Sequence, residues 1–125
     1  LLTSGTAGAK EVVAGALSSL AENPDNQIAI AEAGAIPPLV KLLTSGTALA
    51  KEHAAGALGN LACHFDNQIA IAEAGAIPPL VKLLTSGTAL AKENAAGALS
   101  SLAENPDNQI AIAEAGAIPP LVELL

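Results

Sequence analysis

Apolar residues recur three and four positions apart in stretches such as NQIAIAEAGAIPPLVKLL and AKEHAAGALGNLA. This spacing predicts amphipathic helices, because residues three and four apart lie on the same side of a helix. We expect each buried residue to pack against its equivalent in the neighbouring copy of the pattern. The predicted buried set is Ile28, Ile30, Ile36, Leu39, Val40, Leu42, Leu43, Ala50, Ala54, Ala57, Leu58 and Leu61.

Capping and helix-breaking residues divide the pattern into three helices. The Asn-Pro-Asp cluster supplies capping and first-turn residues, and glycine at position 34, repeated at 75 and 116, suits a left-handed helix end. Pro37 and Pro38 suit the first turn of a second helix, and Ser45 or Thr47 can cap a third. We therefore expect helices at about residues 26–33, 37–43 and 47–62.

The whole pattern repeats with a period of 41 residues, since LLTSGTA begins at Leu1, Leu42 and Leu83. The copies cover residues 1–41, 42–82 and 83–123 within one predicted domain, 1–125. The first and third copies differ at only four positions, which indicates recent duplication or consensus design. The short helices would be only marginally stable as isolated peptides, so packing of neighbouring copies must stabilise them.

Twelve acidic residues face five lysines and no arginine, which gives a formal net charge of −7. This charge repels phosphate backbones and disfavours nucleic acid as a partner. Cationic peptides would be attracted, although solubility is the more ordinary role of such a charge.

Neither a disulfide nor a membrane span is predicted. The chain has a single cysteine, and no apolar run approaches the roughly 18 residues that a span needs. The N-terminal sequence lacks a signal-peptide pattern and an initiator methionine, so we expect a trimmed product in a cytosolic or recombinant setting, neither secreted nor in a membrane.

The motif NQIAIAEAGAIPPLVKLL followed by ALGNLA, in three-helix units of 41 residues, resembles armadillo repeats across the whole chain. Tetratricopeptide and ankyrin units are shorter, and HEAT units normally have two main helices. The resemblance implies an all-α, right-handed superhelical solenoid whose third helices line a concave groove. Such a groove implies binding of an extended peptide or protein segment, without catalysis or a cofactor.

Armadillo grooves use a tryptophan and, four residues later, an asparagine that holds the peptide backbone. Asn60 matches this asparagine, whereas serine stands at the equivalent positions and glycine at the tryptophan positions. These glycines either keep the groove open for a bulky partner or were copied from a parent repeat. The candidate groove residues are His53, Gly56, Asn60, His64, Asn94, Gly97, Ser101, Gly15 and Ser19.

The middle copy alone contains the sequence Cys63-His64-Phe65. A metal or thiol site at Cys63 and His64 is the least favoured reading, because His53 and His64 would be about 16 Å apart on one helix. We predict no metal ligand and no catalytic residue. Instead, we expect Phe65 to fill a gap under a turn, Cys63 to be buried or an engineering handle, and the histidines to lie on the groove wall or the surface.

The chain begins and ends at the same Leu-Leu pair, between a second and a third helix. Repeat arrays without polar caps expose an apolar stacking face at each end. The alternative function is therefore self-assembly, either end to end or groove to groove.

Overall fold

The computed structural model describes residues 5–125, which form nine α-helices in a repeating order of one long and two short helices. The helices are α1 (Ala7–Leu20), α2 (Pro24–Glu32), α3 (Ile36–Ser45), α4 (Ala48–Leu61), α5 (Phe65–Glu73), α6 (Ile77–Ser86), α7 (Ala89–Leu102), α8 (Pro106–Glu114) and α9 (Ile118–Glu123). This architecture confirms the predicted all-α solenoid of three-helix units.

The helices begin and end close to the predicted capping and helix-breaking residues. Thr47 caps α4, since its hydroxyl accepts a hydrogen bond from the N–H of Ala50 at 3.1 Å. Asn23 caps α2 through the N–H of Asp25, which moves the start of that helix to Pro24. Gly34 has a φ of +87°, a left-handed conformation that favours glycine. The helix bounds therefore differ from the expected ones by only one or two residues.

The core lies between the long helices and the second short helix of each unit. Helix α4 packs between α1 and α7, with α3 against α4 and α6 against α7. Ten residues of the predicted buried set are buried, whereas Val40 is only half-buried. The prediction for Ile28 was wrong, because this side chain is 41% exposed. Residues two apart point about 200° apart on a helix, so Ile28 and Ile30 cannot both face the core.

Buried amides link the repeats. The Nδ2 of Asn67 donates to the carbonyl oxygens of Leu61 and Gln27, at 2.9 and 3.1 Å. Gln68 donates to the carbonyl oxygen of Ala62 at 2.9 Å. The last carbonyls of a helix have no partner within the helix, so the Asn-Gln pair satisfies the end of α4. This role of the Asn-Gln pair was not predicted from the sequence.

Within residues 5–125, no single helix is long and apolar enough to cross a membrane. The pairs α2 with α3 and α5 with α6 meet the criteria only jointly, and they are bent by 86° and 83°.

Candidate functional site: a groove along the long helices

The long helices α1, α4 and α7 lie side by side and enclose an open pocket of about 520 Å³ between α4 and α7, with the end of α1 at one side. The pocket has glycine and alanine at its floor and polar side chains around it. Its lining residues are Ser18, Glu22, Gly56, Gly59, Asn60, Cys63, Glu93, Asn94, Gly97, Ala98 and Ser101.

The glycines at the three equivalent positions have different surroundings. A Cβ at Gly56 would stand 3.3 Å from Nδ2 of Asn94, and a Cβ at Gly15 would stand 3.3 Å from Nε2 of His53. A Cβ at Gly97 would meet no atom of the described residues within 4 Å. Two glycines therefore admit a side chain from the next long helix, and the third lies open in the pocket.

Asn60 is held by a contact between repeats. Its Nδ2 donates to the carbonyl oxygen of Ser18, one repeat earlier, at 2.8 Å. No hydrogen bond within residues 5–125 uses its Oδ1. The side chain is half-buried, so Oδ1 is the atom that can accept a hydrogen bond from a ligand.

Asn94 is fixed in a related way, because its Nδ2 donates to the carbonyl oxygen of Glu52 at 2.9 Å. This bond holds the carboxamide over Gly56. Asn94 thus shapes the pocket through packing between repeats.

Two carboxylates give the pocket its charge. Glu93 lines it from α7, and Glu22 lines it from the turn after α1. Both side chains are exposed. Their negative charge adds to the net charge of −7, so the pocket favours a cationic group.

The structure places the nine candidate groove residues in two groups. Five of them line the pocket: Gly56, Asn60, Asn94, Gly97 and Ser101. The other four do not line it: Gly15, Ser19, His53 and His64. The side chain of His53 instead lies over Gly15.

His64, a candidate groove residue, does not lie on the face of α4 that carries His53 and Asn60. Helix α4 ends at Leu61, and His64 occupies the N-cap position of α5. The backbone of His64 is extended, with φ of −92° and ψ of 132°, so the helical spacing from His53 does not apply to it.

The prediction that Phe65 fills a gap under the turn was wrong, and so was burial, one of the two alternatives for Cys63. Phe65 is 59% exposed at the start of α5, and Cys63 is exposed and lines the pocket. Leu61 and Ala62, which precede the turn, are fully buried, so burial ends where the turn begins. Within residues 5–125, no group of three His, Cys, Asp or Glu side chains could hold a metal ion.

Six pocket residues were not predicted from the sequence: Ser18, Glu22, Gly59, Cys63, Glu93 and Ala98. Glu93 could have been found by its spacing, because it precedes Gly97 and Ser101 by four and eight residues. Glu22 and Cys63 follow the ends of their helices, so helical periodicity gave no signal for them.

A solenoid of three-helix units with an open groove along its long helices defines a helical repeat protein. The family model for the Armadillo/beta-catenin-like repeat matches residues 23–63 and 64–104. The chain belongs to the armadillo repeat family. No curated protein matches its sequence at a significant level.

Several solved structures resemble this chain closely. An engineered protein is 39% identical over 100% of the chain, with a TM-score of 0.93. Computationally designed armadillo repeat proteins for modular peptide recognition are 34% identical over 100%, with a TM-score of 0.92. A designed armadillo repeat protein in complex with the peptide (KR)4 is 33% identical over 100%, with a TM-score of 0.92. The chain spans about half the length of these proteins, 52%, 54% and 54% respectively.

Proposed function

We propose that this protein is a non-enzymatic scaffold that binds an extended, basic peptide along the groove of α1, α4 and α7. The observation that carries the proposal is the open pocket in which Glu22 and Glu93 surround a glycine floor. It combines space for a side chain with negative charge where the charged end of that side chain would lie.

Asn60 supplies the contact to the peptide backbone. Its Nδ2 is engaged with Ser18, so the contact uses Oδ1 as an acceptor for a peptide N–H. One such hydrogen bond contributes roughly 1 kcal/mol, which orients the peptide more than it determines affinity.

A lysine or arginine side chain fits the remainder of the pocket. Its aliphatic stem can lie over Gly97, where a Cβ would meet no atom of the described residues within 4 Å. Its charged end then reaches Glu93, from which we expect roughly 0.2–1 kcal/mol because the pair is exposed to solvent.

The structural relatives support the choice of a basic peptide. The designed armadillo protein in complex with (KR)4 has the same fold over the whole length of this chain. Its peptide carries the charge that the acidic groove of this chain would attract.

The test is a fluorescence-anisotropy titration of labelled (KR)4 with the native protein and two variants. Glu93→Gln removes a carboxylate from the pocket, and Glu73→Gln removes an exposed carboxylate on α5, outside it. We expect Glu93→Gln to weaken binding about two- to fivefold, the effect of one exposed ion pair. Glu73→Gln should change it less than twofold.

Two results would reject the proposal. The first is no binding of (KR)4 at low salt, where charge attraction is strongest. The second is an equal loss with Glu93→Gln and Glu73→Gln, which would show that the general field of the protein attracts the peptide without a groove contact.

A further inference from the structure

The same polar contacts join each repeat to the next. The hydroxyl of Thr47 donates to the carboxylate of Glu11 at 2.5 Å, and Thr88 donates to Glu52 at 2.6 Å. One side of a repeat therefore presents a glutamate, and the opposite side presents a threonine. By the period of 41, Glu93 and Thr6 are the next members of these two series.

The surface of α9 exposes residues that are buried in the other repeats. Ile118 is 58% exposed, whereas its equivalents Ile36 and Ile77 are 5% exposed. Leu124 is 45% exposed, against 3% for its equivalent Leu83. We name this surface the C-face; it surrounds an open apolar pocket of about 400 Å³ lined by Ala96, Leu121, Val122, Leu124 and Leu125.

The opposite surface of α1 shows the complementary pattern. Leu20 is 51% exposed, whereas its equivalents Leu61 and Leu102 are fully buried. Ala16 is also exposed, and its equivalent Ala57 is fully buried. We name this surface, formed by Ala16, Leu20 and their neighbours on α1, the N-face.

We propose that the C-face of one copy binds the N-face of a second copy. In this contact α1 of the second copy takes the place on α7 and α9 that α7 takes on α4 and α6. The occupant is a second copy because the two internal interfaces of the chain already show these two surfaces packed together. The contact takes up Glu93 and Gly97, which also line the groove pocket, so it competes with a peptide for these two residues.

Polar contacts fix the register of the two copies. Thr6 of the second copy donates to Glu93 of the first, as Thr88 donates to Glu52 within the chain. Asn26 of the second copy donates to the carbonyl oxygen of Gln109, as Asn108 donates to that of Gln68 at 3.2 Å. Repeated hydrogen bonds of this kind exclude neighbouring registers because a shift would leave buried amides without partners.

The apolar part of the contact covers the open glycine. Val12 is equivalent to His53 and Asn94, and it is 73% exposed. In the second copy it lies over Gly97, as Asn94 lies over Gly56 within the chain. This contact gives a role to a valine that replaces a polar residue.

The contact is heterologous, so each pair of copies keeps one free N-face and one free C-face and can extend.

The test measures mass by light scattering over a hundredfold range of concentration. We expect the native mass to rise above the 12.2 kDa of one chain. Leu20→Glu places a charge in the N-face, and Ile118→Glu places one in the C-face, so each variant alone should stay at one chain. Ile69→Glu is the matched control, because Ile69 is 40% exposed within the stack; it should associate like the native protein.

Mixing the two face variants tests the direction of the contact. Leu20→Glu keeps an intact C-face and Ile118→Glu keeps an intact N-face, so the mixture should form a complex of two chains and stop there. Circular dichroism of each variant should match that of the native protein, because all three substituted side chains are exposed.

Three outcomes would overturn the proposal. The native protein could stay at one chain over the whole range. Both face variants could still associate, which would indicate groove-to-groove pairing. The mixed variants could fail to form a complex of two chains although the native protein associates.

Discussion

The carboxamide of Asn94 lies directly over Gly56, where a Cβ would come within 3.3 Å of its Nδ2. Gly56 occupies the position at which the armadillo pattern suggested a tryptophan. In this chain a side chain from the next repeat takes that space, so the glycine serves the packing of one long helix on another. The groove pocket lies on both sides of this contact, and at Gly97 no described atom would come within 4 Å of a Cβ.

Alanine should have different effects at these two glycines. Gly97→Ala should stabilise the protein by roughly 0.5–1 kcal/mol, because alanine favours a helix and its Cβ meets no described atom within 4 Å. Gly56→Ala should gain less or lose stability, since its Cβ would lie 3.0 Å from Oγ of Ser18. Urea denaturation of both variants measures the difference. A larger gain at Gly56 would contradict the packing account.

His64 is the weak cap of the array. Asn23 and Asn105 accept hydrogen bonds from the first turn of their helices, whereas His64 makes no such bond. Its Nδ1 is buried without a partner among residues 5–125. His64→Asn should therefore stabilise the protein by about 1 kcal/mol.

The matched control for this change is Asn105→His, which introduces the same defect into the third repeat. It should lower the free energy of unfolding by about the amount that His64→Asn adds. Equal stability of all three proteins in urea denaturation would show that the cap at this position contributes nothing.

The buried amide side chains that link the repeats should contribute unequally to the stability of the protein. Asn67 is 4% exposed and makes two hydrogen bonds, whereas Asn26 is half-buried and makes one, to the carbonyl oxygen of Leu20. Asn67→Ala should cost roughly 2–3 kcal/mol because it leaves buried carbonyls without donors. Asn26→Ala should cost about 1 kcal/mol. Thermal and urea denaturation measure both losses of stability. A larger loss for Asn26→Ala than for Asn67→Ala would contradict the structural role of the buried amides.

Cys63 offers a way to increase the charge of the groove. The outer copies carry Glu22 and Glu104 at this position, and Cys63 is exposed in the pocket. Cys63→Glu should strengthen binding of (KR)4 by about two- to fivefold, the effect of one exposed ion pair. Cys63→Gln has a similar size without the charge and should bind like the native protein. Equal affinities of the two variants would contradict an electrostatic role for this position.

Local chemistry made most of the fold predictable from the sequence. Threonine caps, the Asn-Pro start and the glycine at position 34 each act within one helical turn, so their roles could be inferred without tertiary information. The 41-residue period then required the copies to stack. Ile28 was the exception, because an alternating Ile-Ala-Ile pattern does not show which isoleucine faces the core.

The candidate groove was less predictable because its shape depends on contacts between repeats. Gly15, Gly56 and Gly97 have the same local sequence pattern, yet a side chain from 38 residues later in the chain lies over Gly15 and Gly56 and none lies over Gly97. The turn that carries His64 and Phe65 was mispredicted for a related reason. Phe65 is 59% exposed, and its burial depends on how closely neighbouring helices approach the turn, which a single copy of the repeat does not reveal.

The most direct test of the central claim is an NMR titration of the labelled protein with (KR)4, followed through its glycine amides. The account predicts shifts at Gly56, Gly59 and Gly97, which line the pocket, and none at Gly34 or Gly75, which end short helices outside it. Shifts confined to Gly34 and Gly75, or no shifts at millimolar peptide, would contradict binding in the groove of the long helices.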